Sequence, residues 1–193
     1  MEEDRAIQIL KGTGALLEGH FILTSGLHSE KYVQCALLLS YPEKASEFMK
    51  DIAESFRKIK IDTVVAPAVG GILVSYEVAR LLKLRSIYTE RINGKMSLRR
   101  GFVIKPGERC LIVEDVITTG GSVLEVKDVI ERCGGRVVGY GCIVDRSGGK
   151  FKVSEPFHAC LEMDIPVYNP DNCPLCQKGL KAEKPGSRGL KQL

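Results

Sequence analysis

The segment that most constrains this chain runs Leu111-Ile112-Val113-Glu114-Asp115-Val116-Ile117-Thr118-Thr119-Gly120-Gly121-Ser122. It opens as an unbroken apolar run, Cys110 to Val113, of the kind found in strands buried on both faces of a parallel sheet. Two adjacent carboxylates follow, then small and hydroxyl residues. From Ser122 to Cys133 the apolar positions Val123, Val126, Val129, Ile130 and Cys133 fall on one helical face, and Gly134-Gly135 supplies a stop. The segment therefore reads as strand, loop, helix.

Similar units flank it. Thr63 to Ala66 is a short β-branched run. It is followed by Gly70-Gly71, a predicted helix over Ile72 to Lys83 and a strand over Arg85 to Thr89. Phe102 to Lys105 reads as a short strand before the Pro106-Gly107 turn, and Val137 to Val144 as another strand. Upstream, Glu3 to Leu17 places Ala6, Ile7, Leu10, Leu16 and Leu17 near one helical face. Phe21 to Leu39 reads as short strands and turns, and Pro42 opens a helix to about Lys58. Strands alternating with helices predict an α/β fold with a parallel sheet and right-handed crossovers. At 193 residues, with 44% hydrophobic and 27% charged residues, one domain is predicted over 1–193. The Pro-, Gly- and Lys-rich tail predicts partial order at most over about 178–193.

A net charge of +4 does not call for nucleic acid, and no apolar run approaches the roughly 20 residues that cross a bilayer. The acidic start, Met1-Glu2-Glu3-Asp4, is unlike a signal peptide, and seven cysteines, an odd number, read mainly as reduced buried thiols. A soluble cytoplasmic protein is the expectation.

The loop after Val113 has the chemistry of a phosphate cradle. Gly120 and Gly121 let backbone N–H groups approach an anion, while Thr118, Thr119 and Ser122 add hydroxyls. The helix N-terminus adds free N–H groups and the positive end of its dipole. Glu114 and Asp115 would repel a phosphate but suit sugar hydroxyls or a bridging metal. The spacing fits neither a Walker loop nor a dinucleotide fingerprint. Val69-Gly70-Gly71 is a second anion candidate, or a plain strand–helix turn.

On these residues the sequence resembles the type I phosphoribosyltransferases, and within them the branch that uses orotate. The likeness runs from about Ile22 to Arg188. It implies that Thr118 to Ser122 hold the 5-phosphate of 5-phosphoribosyl 1-diphosphate (PRPP), with Val116 and Ile117 among the PRPP contacts, Glu114 and Asp115 on the ribose hydroxyls and the Gly70 turn on the diphosphate. Leu23 to Tyr32, within a small hood at about 18–40, resembles the motif that covers orotate and brings Ser25 to it. Val144-Asp145-Arg146 resembles the strand end whose arginine meets orotate, and Thr118 is implied beside it. A surface ion pair between Arg146 and Asp145 is the plainer alternative.

Tyr88 to Phe102 resembles a mobile catalytic loop, with Arg91 and Lys95 as PRPP contacts; a solvated hairpin about Asn93-Gly94 is the plainer reading. Lys95, Glu114 and Asp115 are the implied catalytic residues. Mg²⁺ is implied as the cofactor, carried by PRPP, with Asp115 as the nearest candidate ligand. The family is dimeric, which implies a homodimer with residues 90–100 acting in the partner's site. The implied activity forms orotidine 5′-monophosphate. A purine-base transferase and a PRPP-binding regulator are the alternatives. Departures exist: Gly70 stands where many relatives have lysine, Thr24 where some do, and residues 90–100 contain no histidine.

Cys173-Pro174-Leu175-Cys176 has the spacing of a zinc knuckle without a second Cys-x-x-Cys, and reads mainly as structural thiols. His158 and Cys160 are the candidate completing ligands. His20 and His28 read as hydrogen-bonded or exposed.

Overall fold

A computed structural model describes residues 1–23 and 25–185. Thr24, and residues 186–193 of the tail, lie outside the described residues. The chain runs α1 (Glu3–Gly12), β1 (Leu16–Ile22), β2 (His28–Val33), α2 (Cys35–Leu39), α3 (Pro42–Phe56), β3 (Thr63–Pro67), α4 (Gly71–Leu82), β4 (Arg85–Ile92) and β5 (Lys95–Leu98). It continues through β6 (Arg109–Ile117), α5 (Gly121–Arg132), β7 (Arg136–Asp145), β8 (Phe157–Glu162), β9 (Val167–Tyr168), a 3-10 turn (Pro170–Asn172) and α6 (Pro174–Gln177).

Six strands form the main sheet in the order β5-β4-β3-β6-β7-β8. All neighbours are parallel except β4 and β5, which pair antiparallel. The strand period of two splits the core. Val64, Ala66, Leu111 and Val113 pack with α1, α3 and α4, whereas Val65, Cys110 and Ile112 pack with α5. The α/β class and the parallel sheet are as the alternation implied. A second, three-stranded antiparallel sheet, β1-β2-β9, forms the hood. No helix among the described residues is long and apolar enough to cross a membrane.

The sequence reading changes in several places, while the hairpin it allowed about Asn93-Gly94 is present. Leu16 and Leu17 belong to β1, not to the first helix, because Thr13 Oγ1 donates to Ile9 and Leu10 carbonyls (2.8 and 3.2 Å) and Gly14 then turns the chain at φ 70°. Phe102 to Lys105 form no strand. The turn at Arg100 and Gly101 (φ 60° and 73°) breaks the edge, and Phe102 stacks on Tyr88 instead, with ring centres 5.1 Å apart. Strand β6 continues to Ile117, so both acids stand within its carboxyl end. Residues 90–100 are largely a hairpin, β4 and β5 joined at Asn93-Gly94, whose φ values of 48° and 80° suit a right-twisted two-residue turn.

Candidate active site

Strand β3 leads into α4 on one face of the sheet, and its neighbour β6 leads into α5 on the other. Their connections part at the carboxyl ends, which opens a crevice where open α/β sheets bind ligands. The β3–α4 turn lies directly on the two acids. A Cβ on Gly70 would stand 2.5 Å from Asp115 Oδ2, and one on Gly71 would stand 3.4 Å from Glu114 Oε1 and 2.8 Å from Ala66 Cβ. Position 70 thus has no room for a side chain while Asp115 keeps this place.

Glu114 is 8% exposed. Among the described residues no lysine, arginine or histidine forms an ion pair with either acid. Burial pushes the Glu114 carboxyl well above the usual carboxylate range, and the neighbouring Asp115 charge pushes it the same way. Asp115 is also raised by burial, against its hydrogen bonds to Glu114 and from the Val116 N–H (2.9 Å). Burial thus pushes both carboxyls toward their neutral forms, Glu114 the more strongly.

The cradle follows. Gly120 adopts φ 77°, and a Cβ there would approach Phe151 to 2.2 Å. The position accepts only glycine. Gly121 differs: the nearest atom to its would-be Cβ is Thr119 Oγ1 at 3.6 Å. Helix α5 begins without a side-chain cap. Leu124 N–H donates to Gly120 O (3.0 Å), and Gly121 N–H has only a long contact with Thr119 Oγ1 (3.4 Å). The first-turn N–H groups open into a small cavity lined by Glu114 and by Val116 through Val123. Val116, Ile117, Thr118, Thr119, Gly120, Gly121 and Ser122 are thus brought together.

A larger cavity of about 650 Å³ adjoins it, within the range of small-ligand sites. Asp115, Val116, Thr118 and Thr119 form its near wall, and Ser25, Tyr32 and Arg146 its far side. Arg146 N–H donates to Ile117 O (2.7 Å), which ties the far side to the strand bearing the acids. Arg146 Nε is buried and has no partner among the described residues. Burial lowers the pKa of this guanidinium. The alternative ion pair with Asp145 is not formed: that carboxylate accepts from Ser147 N–H and Oγ (2.7 and 3.2 Å).

Sequence reading did not single out Tyr32, Lys150 or Val167, which also line this cavity. Tyr32 lay inside the hood motif and was within reach of inference. Val167 arrives through pairing of β9 with Ser29, and a two-residue strand leaves no periodic signal.

The hairpin cations do not line either cavity. Arg91 pairs with Glu125 at 2.7 Å, and Arg100 with Glu90 at 2.8 Å. Lys95 and Arg99 are exposed. Cys173 and Cys176 lie beside His20 and His28, not beside His158 and Cys160; His158 instead meets Asp51 at 2.7 Å.

A family profile described as phosphoribosyl transferase domain matches residues 38–171. An orotate phosphoribosyltransferase of Thermotoga petrophila is 55% identical over 184 residues, covering 95% of this chain and 98% of that protein. One from Desulforamulus reducens is 54% identical over 190 residues, covering 98% of this chain and all of the other. The chain belongs to the orotate phosphoribosyltransferase family. The fold agrees: the crystal structure of orotate phosphoribosyltransferase from Aeropyrum pernix superposes with a TM-score of 0.70 at 24% identity, covering 81% of this chain and 92% of that one.

Proposed function

We propose that this chain transfers the phosphoribosyl group of PRPP to orotate, giving orotidine 5′-monophosphate and diphosphate, a step of pyrimidine nucleotide synthesis. One observation carries the choice of base. Arg146 is half-buried, and its guanidinium, whose buried Nε has no partner among the described residues, lines a cavity continuous with Asp115 and Thr118. A carboxylate satisfies it with charge-assisted hydrogen bonds. Xanthine, hypoxanthine and adenine carry no carboxylate; they offer it only neutral acceptors and leave its charge uncompensated.

The chain's own groups divide the work. The α5 N-terminus and Thr118 to Ser122 bind the 5-phosphate. Backbone at Gly70-Gly71 lies against the acids and is placed to meet the diphosphate. Glu114 and Asp115 grip the ribose hydroxyls. Once ionised, they stabilise the positive charge that develops on the ring as the bond from C1 to the diphosphate oxygen breaks and the bond to the base nitrogen forms. Arg146, Ser25 and Thr118 hold orotate at C1. The buried Glu114 and the half-buried Asp115, with no cation of their own among the described residues, fit a Mg²⁺ delivered with the diphosphate, Asp115 foremost. Such an ion supplies positive charge to the leaving group.

Lys95 is exposed on an edge hairpin outside its own chain's cavity. This supports a role in the site of a partner chain in a homodimer, where it would neutralise the departing diphosphate. All seven cysteines are free thiols, which supports the reducing cytoplasm as the working compartment.

Orotate absorbance, followed with PRPP and Mg²⁺, tests the assignment. We expect loss of orotate that requires PRPP, and no turnover of hypoxanthine, xanthine or adenine. Turnover of a purine with orotate inert would overturn the reading.

A further inference from the structure

The hood holds a cluster that the transfer reaction does not use. His20 of β1, the first β2 residue His28, and Cys173 and Cys176 at the two ends of the Cys-Pro-Leu-Cys segment each offer one ligand atom. These atoms all lie within 4.8 Å of one another. His20 and His28 are 4% and 7% exposed, and Cys173 is fully buried. The four come from segments about 150 positions apart in the chain, so no local turn explains their meeting.

The spacings are those of a tetrahedral ion site. His20 Nε2 lies 2.8 Å from His28 Nδ1, 3.6 Å from Cys173 Sγ and 3.7 Å from Cys176 Sγ, and Cys176 Sγ lies 3.3 Å from His28 Nδ1. Zinc bonds of about 2.3 Å to sulfur and 2.0–2.1 Å to nitrogen, at tetrahedral angles, place ligand atoms roughly 3.3–3.8 Å apart. Of these four distances the His–His approach alone is tighter, and a shift of about 0.5 Å would bring it into that range; the other two pairs lie within 4.8 Å.

Hydrogen bonding does not satisfy the cluster by itself. His20 Nδ1 lies 2.8 Å from the Leu180 carbonyl, an acceptor only, so Nδ1 carries the proton and Nε2 presents a lone pair. Three polar atoms then crowd that lone pair, His28 Nδ1 and both sulfurs, and Cys176 Sγ also touches His28 Nδ1. A single lone pair cannot serve three. A cation at the centre, with both sulfurs as thiolates, satisfies all four groups at once. The Leu180 carbonyl would then orient a metal-bound imidazole, as outer partners of such ligands do. By contrast, the other His/Cys/Asp grouping, Asp51 with His158 and Cys160, is satisfied without an ion. Asp51 takes His158 and the Met1 ammonium, and Cys160 donates to Phe48 O at 3.4 Å.

From this geometry we infer that His20, His28, Cys173 and Cys176 form a structural zinc site. Two thiolates and two imidazoles in a closed tetrahedral set select Zn²⁺ over Mg²⁺. The ion staples the C-terminal segment onto the hood. Ile22 N–H donates to Glu183 O (2.7 Å) and Glu183 N–H to His20 O (2.8 Å), so the chain beyond α6 is already laid along β1. His20 and His28 also bracket the loop whose Leu23, Ser25 and Leu27 line the larger cavity. The metal therefore fixes both stems of the cavity's cover. It remains separate from the magnesium proposed for the diphosphate.

The test uses full-length protein purified without an affinity tag. Elemental analysis should give about one zinc per chain. Demetallated protein should take up one equivalent of Co²⁺ with the strong visible absorption of a tetrahedral thiolate site, and Zn²⁺ should displace it. Chelation should raise amide exchange at residues 20–28 and 173–183 together. Cys173→Ser should weaken zinc uptake by more than about a hundredfold, and Cys160→Ser should leave it unchanged. Protein that is metal-free as isolated and takes up neither ion would overturn the site, whatever its transferase activity. So would a Cys173–Cys176 disulfide in the isolated protein. The metal titrations need no variant, so a misfolded mutant does not blunt them.

Discussion

The phosphate cradle and the hood are built in opposite ways. The cradle is one continuous segment: strand β6 delivers two acids, Gly120 bends the chain, and α5 opens its N–H groups, all within Glu114 to Val123. The hood is assembled from afar. Strand β9 pairs with β2, and His20 and His28 meet Cys173 and Cys176. A local device depends on backbone conformation at single positions, whereas a long-range one depends on the contacts that hold distant segments together. Substitutions should therefore fail differently in the two regions.

The largest effect is expected at Gly120. Gly120→Ala forces a left-handed conformation costing about 1–2 kcal/mol and drives a methyl into Phe151. Activity should fall more than about a hundredfold through a displaced cradle. Gly121→Ala should change stability by less than about 0.5 kcal/mol. Equal tolerance at both glycines would break the account of the cradle as a backbone device. Calorimetric PRPP titration with thermal melts reads both outcomes.

Arg146→Ala should raise the orotate KM roughly tenfold to a hundredfold, by losing hydrogen bonds to a charged group worth about 1.5–3 kcal/mol, while PRPP affinity stays near that of the wild type. An equal loss for both substrates would erase the boundary between the two ends of the crevice. Lys95→Ala should lower kcat more than it weakens PRPP binding. Mixing it with Arg146→Ala protein should recover activity if each site borrows its partner's hairpin.

The acid pair gives a pH-dependent prediction. Burial raises Glu114 and so favours its protonated form, whereas ribose hydroxyls and a cation favour the ionised form. Binding therefore releases a proton. PRPP affinity should rise with pH above about 4.5, by at most about tenfold per unit, until Glu114 ionises in the empty protein. The same shift draws on fold stability in the opposite sense, since an acid with a raised folded-state pKa loses its stabilising contribution as pH climbs. Glu114→Gln should flatten both trends. The smallest effect is expected at the exposed Arg91–Glu125 pair, where Glu125→Gln should cost at most about 1 kcal/mol.

What could be read from sequence follows the same division. Leu111 to Ser122 declares its strand, acids and glycine bend in one stretch, so the cradle and the sheet around it were legible. Arg146 was legible only through resemblance, because nothing local says that its guanidinium turns inward rather than pairing with Asp145. Strand β6 proved longer than its apolar run, since pairing with β7 carries Val116 and Ile117 past the acids. The meeting of His20 and His28 with the Cys-Pro-Leu-Cys segment could not be read at all. It depends on β9 docking at the hood edge, and no residue near either half encodes that register.

Ser29 Oγ donates to the Pro166 carbonyl, 137 positions further along, just where β9 joins β2. During translation the first two hood strands emerge early and wait for their third. At about 5–20 residues per second, the interval is on the order of ten seconds. The cradle's helix, by contrast, ends at Arg132 and precedes Val167 by only a few seconds of synthesis, so the crevice gains its cradle and its roof almost together.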